Sequence, residues 1–210
     1  MTAEPAPDTG LIPRTPDHNA LEKILMDLLS EIPATTQSQI PNPPDTALRL
    51  ARGAAGKAAL VSGGLSLAPG PAGWLTLIPD LVGVWRIQRQ MVADIAGLFG
   101  KTANLGKEEM FYCLFRHIAA HAVADLAVRV GGRAIVRRVP MRILQAAVRR
   151  VGLRLTQRVI GRGIARWIPV AGAAGVAGYA YWDTMRVAET AIELFGTKEL
   201  PEATVITSSE

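Results

Sequence analysis

The sequence is poor in cysteine and in aromatic residues, and each shortage narrows the class of protein. Cys113 is the single cysteine among 210 residues, so the chain has no intrachain disulfide. Aromatic residues make up 5% of the chain, although hydrophobic residues make up 49% and the mean hydropathy is +0.21. Small residues, including 20 glycines, therefore supply much of the apolar content. Such residues let helix backbones approach closely, as in helices that pack within lipid, so the composition favours a membrane-associated protein.

The motifs of common enzymes and of secretion are also missing. Residues 53–58 resemble a phosphate-binding loop, but they lack its glycine spacing, the Ser or Thr after Lys57 and a preceding strand. The sequence has no Gly-x-Ser-x-Gly motif and no convincing carboxylate pair, so we predict no catalytic residue and no cofactor. Residues 1–16 lack the apolar core of a signal peptide. We therefore expect a non-enzymatic protein in the cytoplasm, either soluble or on the inner face of a membrane.

Charge is distributed unevenly along the chain. Residues 1–47 carry seven acids and two bases, residues 48–182 carry five acids and nineteen bases, and residues 183–210 carry six acids and two bases. The net charges of these three parts are −5, +14 and −4. A basic middle between acidic ends indicates an anionic partner, either lipid head groups or nucleic acid.

Hydrophobic periodicity predicts an all-α fold of about six helices, a bundle that contains apolar, Gly- and Ala-rich helical hairpins. Asp17 is expected to cap the first helix, residues 108–130 to form one helix, and the last helix to begin near Ile164. The predicted organisation has four parts: a disordered acidic tail (1–16), a short amphipathic helix with a proline-containing linker (17–44), a helical domain (45–198) and a disordered tail (199–210).

Two long uncharged runs stand out. Residues 58–79 are uncharged, but Pro69 to Pro71 interrupt the run, because proline breaks the hydrogen-bonding pattern of a helix. They predict a hairpin that either enters lipid or packs as a buried helix pair. The second run, 167–182, has tryptophan at each end and glycines at helical spacing, namely Gly172, Gly175 and Gly178. These glycines permit close helix contact, either in lipid or in a soluble core.

The strongest charge feature is a run of eleven arginines, Arg129 to Arg166, within a segment that has no acidic residue between Asp125 and Asp183. Five of these arginines are expected to form the basic side of an amphipathic helix and to bind anionic lipid: Arg142, Arg149, Arg150, Arg154 and Arg158. A solvated face paired with acids of the terminal segments is the alternative. Nucleic acid is disfavoured because no aromatic residues alternate with these arginines.

A few polar residues remain as candidates for chemistry. Cys113, His117 and His121 fall on one face of the predicted 108–130 helix, so they are candidates for a metal site. The alternative interpretation is that they form a polar seam between packed helices. Asp80 and Asp183 are lone acids beside long apolar runs, where an ionisable group is costly unless it is paired or functional. Salt bridges to Arg86 and Arg186 are the simplest roles for these two acids.

Two sequence segments carry a resemblance to a known family. They are Pro79–Asp80 followed by an apolar helix to Gly100, and Ile168-Pro169-Val170-Ala171-Gly172 leading to Trp182–Asp183. On these segments the chain resembles the EcsC family of bacterial proteins, over about residues 45–198, and is distantly similar to the membrane domain of unknown function of some bacterial GTPases. The resemblance implies a helical, membrane-associated companion of an ABC transporter, and it brings no catalytic residues.

The leading hypothesis is a non-enzymatic accessory or scaffold protein that binds membrane lipid and a membrane protein such as a transporter. Homo-oligomers are compatible with it. The rival hypothesis is a soluble helical ligand-binding protein or enzyme with a pocket near His117 and His121.

Overall fold

The computed structural model describes residues 18–65, 77–130, 133–162 and 169–196. Within these ranges the chain forms seven α-helices and one small antiparallel sheet, which confirms the predicted all-α bundle. The helices are α1 (His18–Ser30), α2 (Pro43–Leu65), α3 (Leu77–Leu98), α4 (Lys107–Phe115), α5 (Ala120–Val123), α6 (Met141–Arg162) and α7 (Pro169–Phe195). The strands are β1 (Ala127–Val130) and β2 (Arg133–Val136), and two single 3₁₀ turns, Thr102–Asn104 and Ala124–Leu126, complete the order.

The main core forms around α4, whose six residues from Met110 to Phe115 are all buried. A helix that is hydrophobic on every side lies inside a protein, and α4 contacts α1, α3 and α7. Phe115 contacts Trp85 of α3 edge to face, with ring centroids 5.7 Å apart. Leucines of α1 and the apolar stripe of α6 enclose the other side of this core.

A second part of the bundle consists of α2, α3 and α7, and its contacts use small side chains. On α2, Ala47, Ala51, Ala55 and Ala58 are completely buried at successive turns. This alanine stripe lets α2 lie close along α7 and α3, its two main neighbours. Alanine buries little area per residue, so the close approach of the backbones is the main effect of the stripe.

The linker between α1 and α2 packs along α3. The Thr35 hydroxyl donates a hydrogen bond to Asp94 Oδ1 at 2.6 Å, and the backbone N–H of Ile40 donates to the carbonyl of Leu98 at 3.2 Å. Gly97 is needed where the linker crosses α3, because a Cβ there would lie 2.7 Å from the carbonyl oxygen of Gln37. The predicted polar linker is therefore an ordered part of the fold.

The prediction of one helix over residues 108–130 is wrong. Helix α4 ends at Phe115, and the chain then passes through α5 and a 3₁₀ turn into β1, which pairs with β2 in the register Val128↔Ile135. Two short β-branched runs around Gly131–Gly132 are the signature of a hairpin. The sequence reasoning had assigned these glycines to the end of a helix.

Several other predicted elements lie outside the residues that the structure describes. Asp17, the proposed cap of α1, lies outside them, as do Pro69 to Pro71 and the expected start of the last helix near Ile164. Described α7 begins at Pro169. Among the helices that the structure describes, none combines the length and the apolar character needed to cross a bilayer.

Candidate functional site

Helix α6 has one buried and one basic face. Its apolar stripe enters the core, with Leu144, Ala147, Val148, Val151 and Leu155 buried. The opposite face is exposed and carries four of the five predicted lipid-binding arginines: Arg142, Arg149, Arg150 and Arg154. We call these four the arginine row. The side chain of the fifth, Arg158, lies outside the described side chains.

The arginine row is mostly without acidic partners. Arg150 Nη1 lies 2.9 Å from Asp125 Oδ2, and both side chains are more than half exposed. Such a surface pair is weak, because solvent screens it and its side chains lose entropy. Arg142, Arg149 and Arg154 have no ion pair within the described ranges. Among the described residues, three guanidinium groups of the row therefore have no acidic partner.

Exposed apolar side chains accompany the arginine row. Met141 and Leu153 of α6 are 48% and 42% exposed. Val128 and Ile135 are direct cross-strand partners, so they project from the same face of the hairpin, and both are exposed. Neighbouring Ala134 is buried on the other face, towards the core. Large apolar groups on the same helix as bases, as Met141 and Leu153 are, suit the interface between lipid head groups and acyl chains.

The predicted helix-packing glycines make no close contact within the chain where they are described. A Cβ at Gly175 or Gly178 would meet nothing within 4 Å, so these residues face open space. The side-chain environment of Gly172 is outside the described set. Contact of this α7 surface with another molecule stays a prediction.

A buried polar cluster joins α3, the end of α4 and α7. Asp183 is 5% exposed, and each of its carboxylate oxygens accepts a hydrogen bond: Oδ1 from His117 Nε2 and Oδ2 from Gln88 Nε2, both at 2.8 Å. Gln88 Nε2 also lies 3.2 Å from the Thr184 hydroxyl. His117 Nδ1 and Gln88 Oε1 are buried and have no hydrogen-bond partner in the structure. The cluster thus combines a paired carboxylate with two unused polar atoms.

The expected salt bridge between Asp183 and Arg186 is wrong. Asp183 lies on the buried side of α7, where His117 and Gln88 bind its carboxylate, while the side chain of Arg186 is exposed. Arg186 instead pairs with Glu189 at 2.7 Å and lies over the Trp182 ring at 5.5 Å from its centroid. The side chain of Asp80, the other lone acid, is outside the described set.

The structure separates the three weak metal candidates. Cys113 is completely buried in α4, His117 lies in the turn after α4, and His121 is exposed on α5. Burial raises the pKa of the Cys113 thiol far above its usual range, so this sulfur is a poor metal ligand and nucleophile. Among the described residues, no group of three or more His, Cys, Asp or Glu side chains has a geometry that could hold a metal ion.

The sequence reasoning missed Gln88 as a member of the cluster. Gln88 lies one turn after Trp85 and one turn before Val92, on the buried side of α3. An amide in an apolar stripe must have a buried partner, so the helical spacing was a usable signal. The partner itself, 95 residues away on α7, was not readable from the sequence.

Comparisons with known proteins add no further assignment. No family model, no curated protein and no solved structure matches this chain. Membership of the EcsC family stays a prediction based on the sequence segments described above.

Proposed function

We propose that this protein is a non-enzymatic, membrane-associated helical protein that binds anionic lipid through the arginine row of α6. The observation that supports the proposal is the exposure of Arg142, Arg149, Arg150 and Arg154 on one face of a helix whose other face is fixed in the core. The protein would serve as an accessory or scaffold for a membrane protein such as a transporter, on the cytoplasmic side. The resemblance to the EcsC family supports the same class.

The binding energy of the arginine row indicates how firmly it can hold the protein on a membrane. Each arginine near an anionic surface contributes about 1 kcal/mol, so the row contributes about 4 kcal/mol. An affinity of that size corresponds to a dissociation constant of about 1 mM. The arginine row alone is therefore a weak and reversible anchor, and stable association needs a second contact.

Co-sedimentation with lipid vesicles tests the proposal. We expect binding to vesicles that contain phosphatidylglycerol, weaker binding to pure phosphatidylcholine, and loss of that preference between about 0.1 M and 1 M salt, because the screening length falls from about 10 Å to 3 Å. The triple variant R142E/R149E/R154E should lose the preference for anionic vesicles.

A matched control separates position from net charge. The variant K23E/R49E/R52E makes the same charge change at exposed positions of α1 and α2. It should keep most of the preference for anionic vesicles. Equal loss in both variants, or salt-sensitive binding to DNA but not to vesicles, would overturn the proposal.

The buried cluster favours a second candidate function, a soluble ligand-binding protein or enzyme. His117 Nδ1 and Gln88 Oε1 are buried polar atoms without partners among the described residues, and such atoms are normally satisfied by a ligand or water. Native mass spectrometry of the purified chain tests this candidate. A bound small molecule that is lost in His117→Gln would support it, whereas a ligand-free chain would remove its basis. Exposed His121 takes no part in the cluster.

A further inference from the structure

The tertiary structure brings the described parts of the two uncharged sequence runs together at one end of the α2–α3–α7 bundle. Ala58 of α2, Val84 of α3 and Ala180 of α7 form one small buried cluster. A Cβ on Gly83 would lie 3.2 Å from Val61, which places α3 beside α2 just beyond that level. Beyond it the described side chains are uncharged. We call residues 58–64, 81–84 and 174–180 the apolar tip.

The base of the apolar tip is surrounded by basic and aromatic side chains. Lys57 and Arg86 are exposed at the level of the small cluster, on α2 and α3. On α7, Tyr181 and Trp182 are 40% and 48% exposed, and Arg186 lies over the Trp182 ring. We call these five residues the girdle. Tryptophan and tyrosine favour the interface of a bilayer, and bases there contact lipid phosphates.

The surface of the tip is apolar where it meets solvent. Leu60 is 78% exposed, the highest exposure among the large hydrophobic residues that the structure describes. Gly64, Gly175 and Gly178 are exposed beside open space. Transfer of a leucine side chain from water to an apolar environment is favourable by about 1.5–3 kcal/mol. Contact of the tip with an apolar partner would therefore be favourable.

The charge pattern at this end of the bundle distinguishes lipid from a water-soluble partner. Exposed, uncharged side chains lie beyond Lys57 and Arg86, and Tyr181 and Trp182 are exposed at the same end of the bundle. A bilayer presents phosphates at its surface and hydrocarbon below them, so this pattern points to lipid.

We infer that the apolar tip inserts into the hydrocarbon of a lipid bilayer, with the girdle at the level of the lipid phosphates. This surface is separate from the arginine row, and it supplies the second contact that the row lacks. Insertion of the tip depends on apolar transfer, so it should persist in neutral lipid and at high salt.

A single fluorescent label on α2 tests the insertion. The native Cys113 is buried, so a thiol-reactive, polarity-sensitive dye should label an introduced cysteine selectively, and the wild-type chain serves as the labelling blank. We would compare Leu60→Cys with Arg52→Cys, which lies two turns earlier on the same exposed side of α2. The vesicles are phosphatidylcholine, with and without phosphatidylglycerol, and with brominated acyl chains as the quencher.

The expected result is a blue shift and loss of most of the fluorescence at position 60, in both lipids and at about 1 M salt. The label at position 52 should stay in a polar environment. Vesicle-bound protein with an aqueous label at position 60 would overturn the insertion and leave the arginine row intact as an anchor. A blue shift that depends on protein concentration without lipid would overturn it in favour of self-association.

The opposite failure is also visible in the same experiment. If the label at position 60 enters neutral vesicles while R142E/R149E/R154E binds anionic vesicles as well as wild type does, the insertion stands and the proposed role of the arginine row fails. Leu60→Asp should reduce salt-resistant binding, whereas Ala103→Asp, which adds the same charge at an exposed residue of the Thr102–Asn104 turn, should leave it unchanged.

Discussion

Replacing Asp183 with alanine should destabilise the protein strongly. Its carboxylate is 5% exposed and accepts hydrogen bonds from His117 and Gln88, both at 2.8 Å. Alanine would leave His117 Nε2 without an acceptor and Gln88 Nε2 with the Thr184 hydroxyl alone. A buried donor without a partner costs about 1–3 kcal/mol, and broken buried pairs cost about 3–5 kcal/mol in other proteins. We therefore expect a loss of about 3–5 kcal/mol in the free energy of unfolding. Asp183→Asn keeps the volume but opposes one donor with an amide N–H, so about 1–3 kcal/mol is expected.

Urea denaturation, followed by circular dichroism, measures these changes in the free energy of unfolding. The comparison requires that the dependence of this free energy on urea concentration, the m-value, is the same in each variant. The matched control is Asp125→Ala, which removes an ion pair whose carboxylate is 58% exposed and should cost about 0–1 kcal/mol. Adding Gln88→Leu to Asp183→Ala should recover part of the loss, because it removes the amide that had lost its 2.8 Å bond to Asp183 Oδ2. If Asp183→Ala costs no more than Asp125→Ala, the cluster does not stabilise the fold and the reasoning is refuted.

Three further predictions test the packing and the titration of buried groups. Gly97→Ala should destabilise the chain by about 1–3 kcal/mol, because its Cβ would overlap the carbonyl of Gln37. Gly53→Ala, in open space on α2, should stabilise the chain by about 0.5–1 kcal/mol. Thermal unfolding of both variants tests the sign of each change. Cys113 should resist alkylation at pH 8 until urea unfolds the chain, because burial raises its pKa; fast labelling of the native protein would contradict its burial. Burial also raises the pKa of Glu109 above its usual value of 4.5, so between the unfolded and folded pKa values the native state binds more protons than the unfolded state. The free energy of unfolding therefore falls as pH rises through the folded pKa. Glu109→Gln should flatten this decline in urea titrations at successive pH values, and an unchanged decline would contradict the prediction.

The fold class followed from the sequence because helices have a strong local signal. The stripe from Leu144 to Leu155 and the alanines of α2 repeat at helical spacing, and both are buried as that spacing requires. The hairpin after α5 was missed because its strands are four residues each, and a short apolar run between glycines fits a helix end as well as a turn.

One candidate site could be predicted from the sequence and the other could not. The exposed face of α6 was readable from the sequence, because arginines opposite an apolar stripe stay in water once the stripe is buried. The partners of Asp183 were not readable, because Gln88 and His117 reach it from other helices, 95 and 66 residues away. Local spacing had suggested Arg186, which the structure places on the exposed side of α7.

The sequence by itself determined the helical class, the uneven charge and the two uncharged runs, since each depends on residue type and short-range spacing. Only the tertiary structure decided that the two runs meet at one end of the bundle, above a girdle of basic and aromatic side chains. It also decided that a buried aspartate is held by a histidine and a glutamine. These arrangements depend on which helices pack together and at what level, and that is set by the sum of many contacts between distant residues.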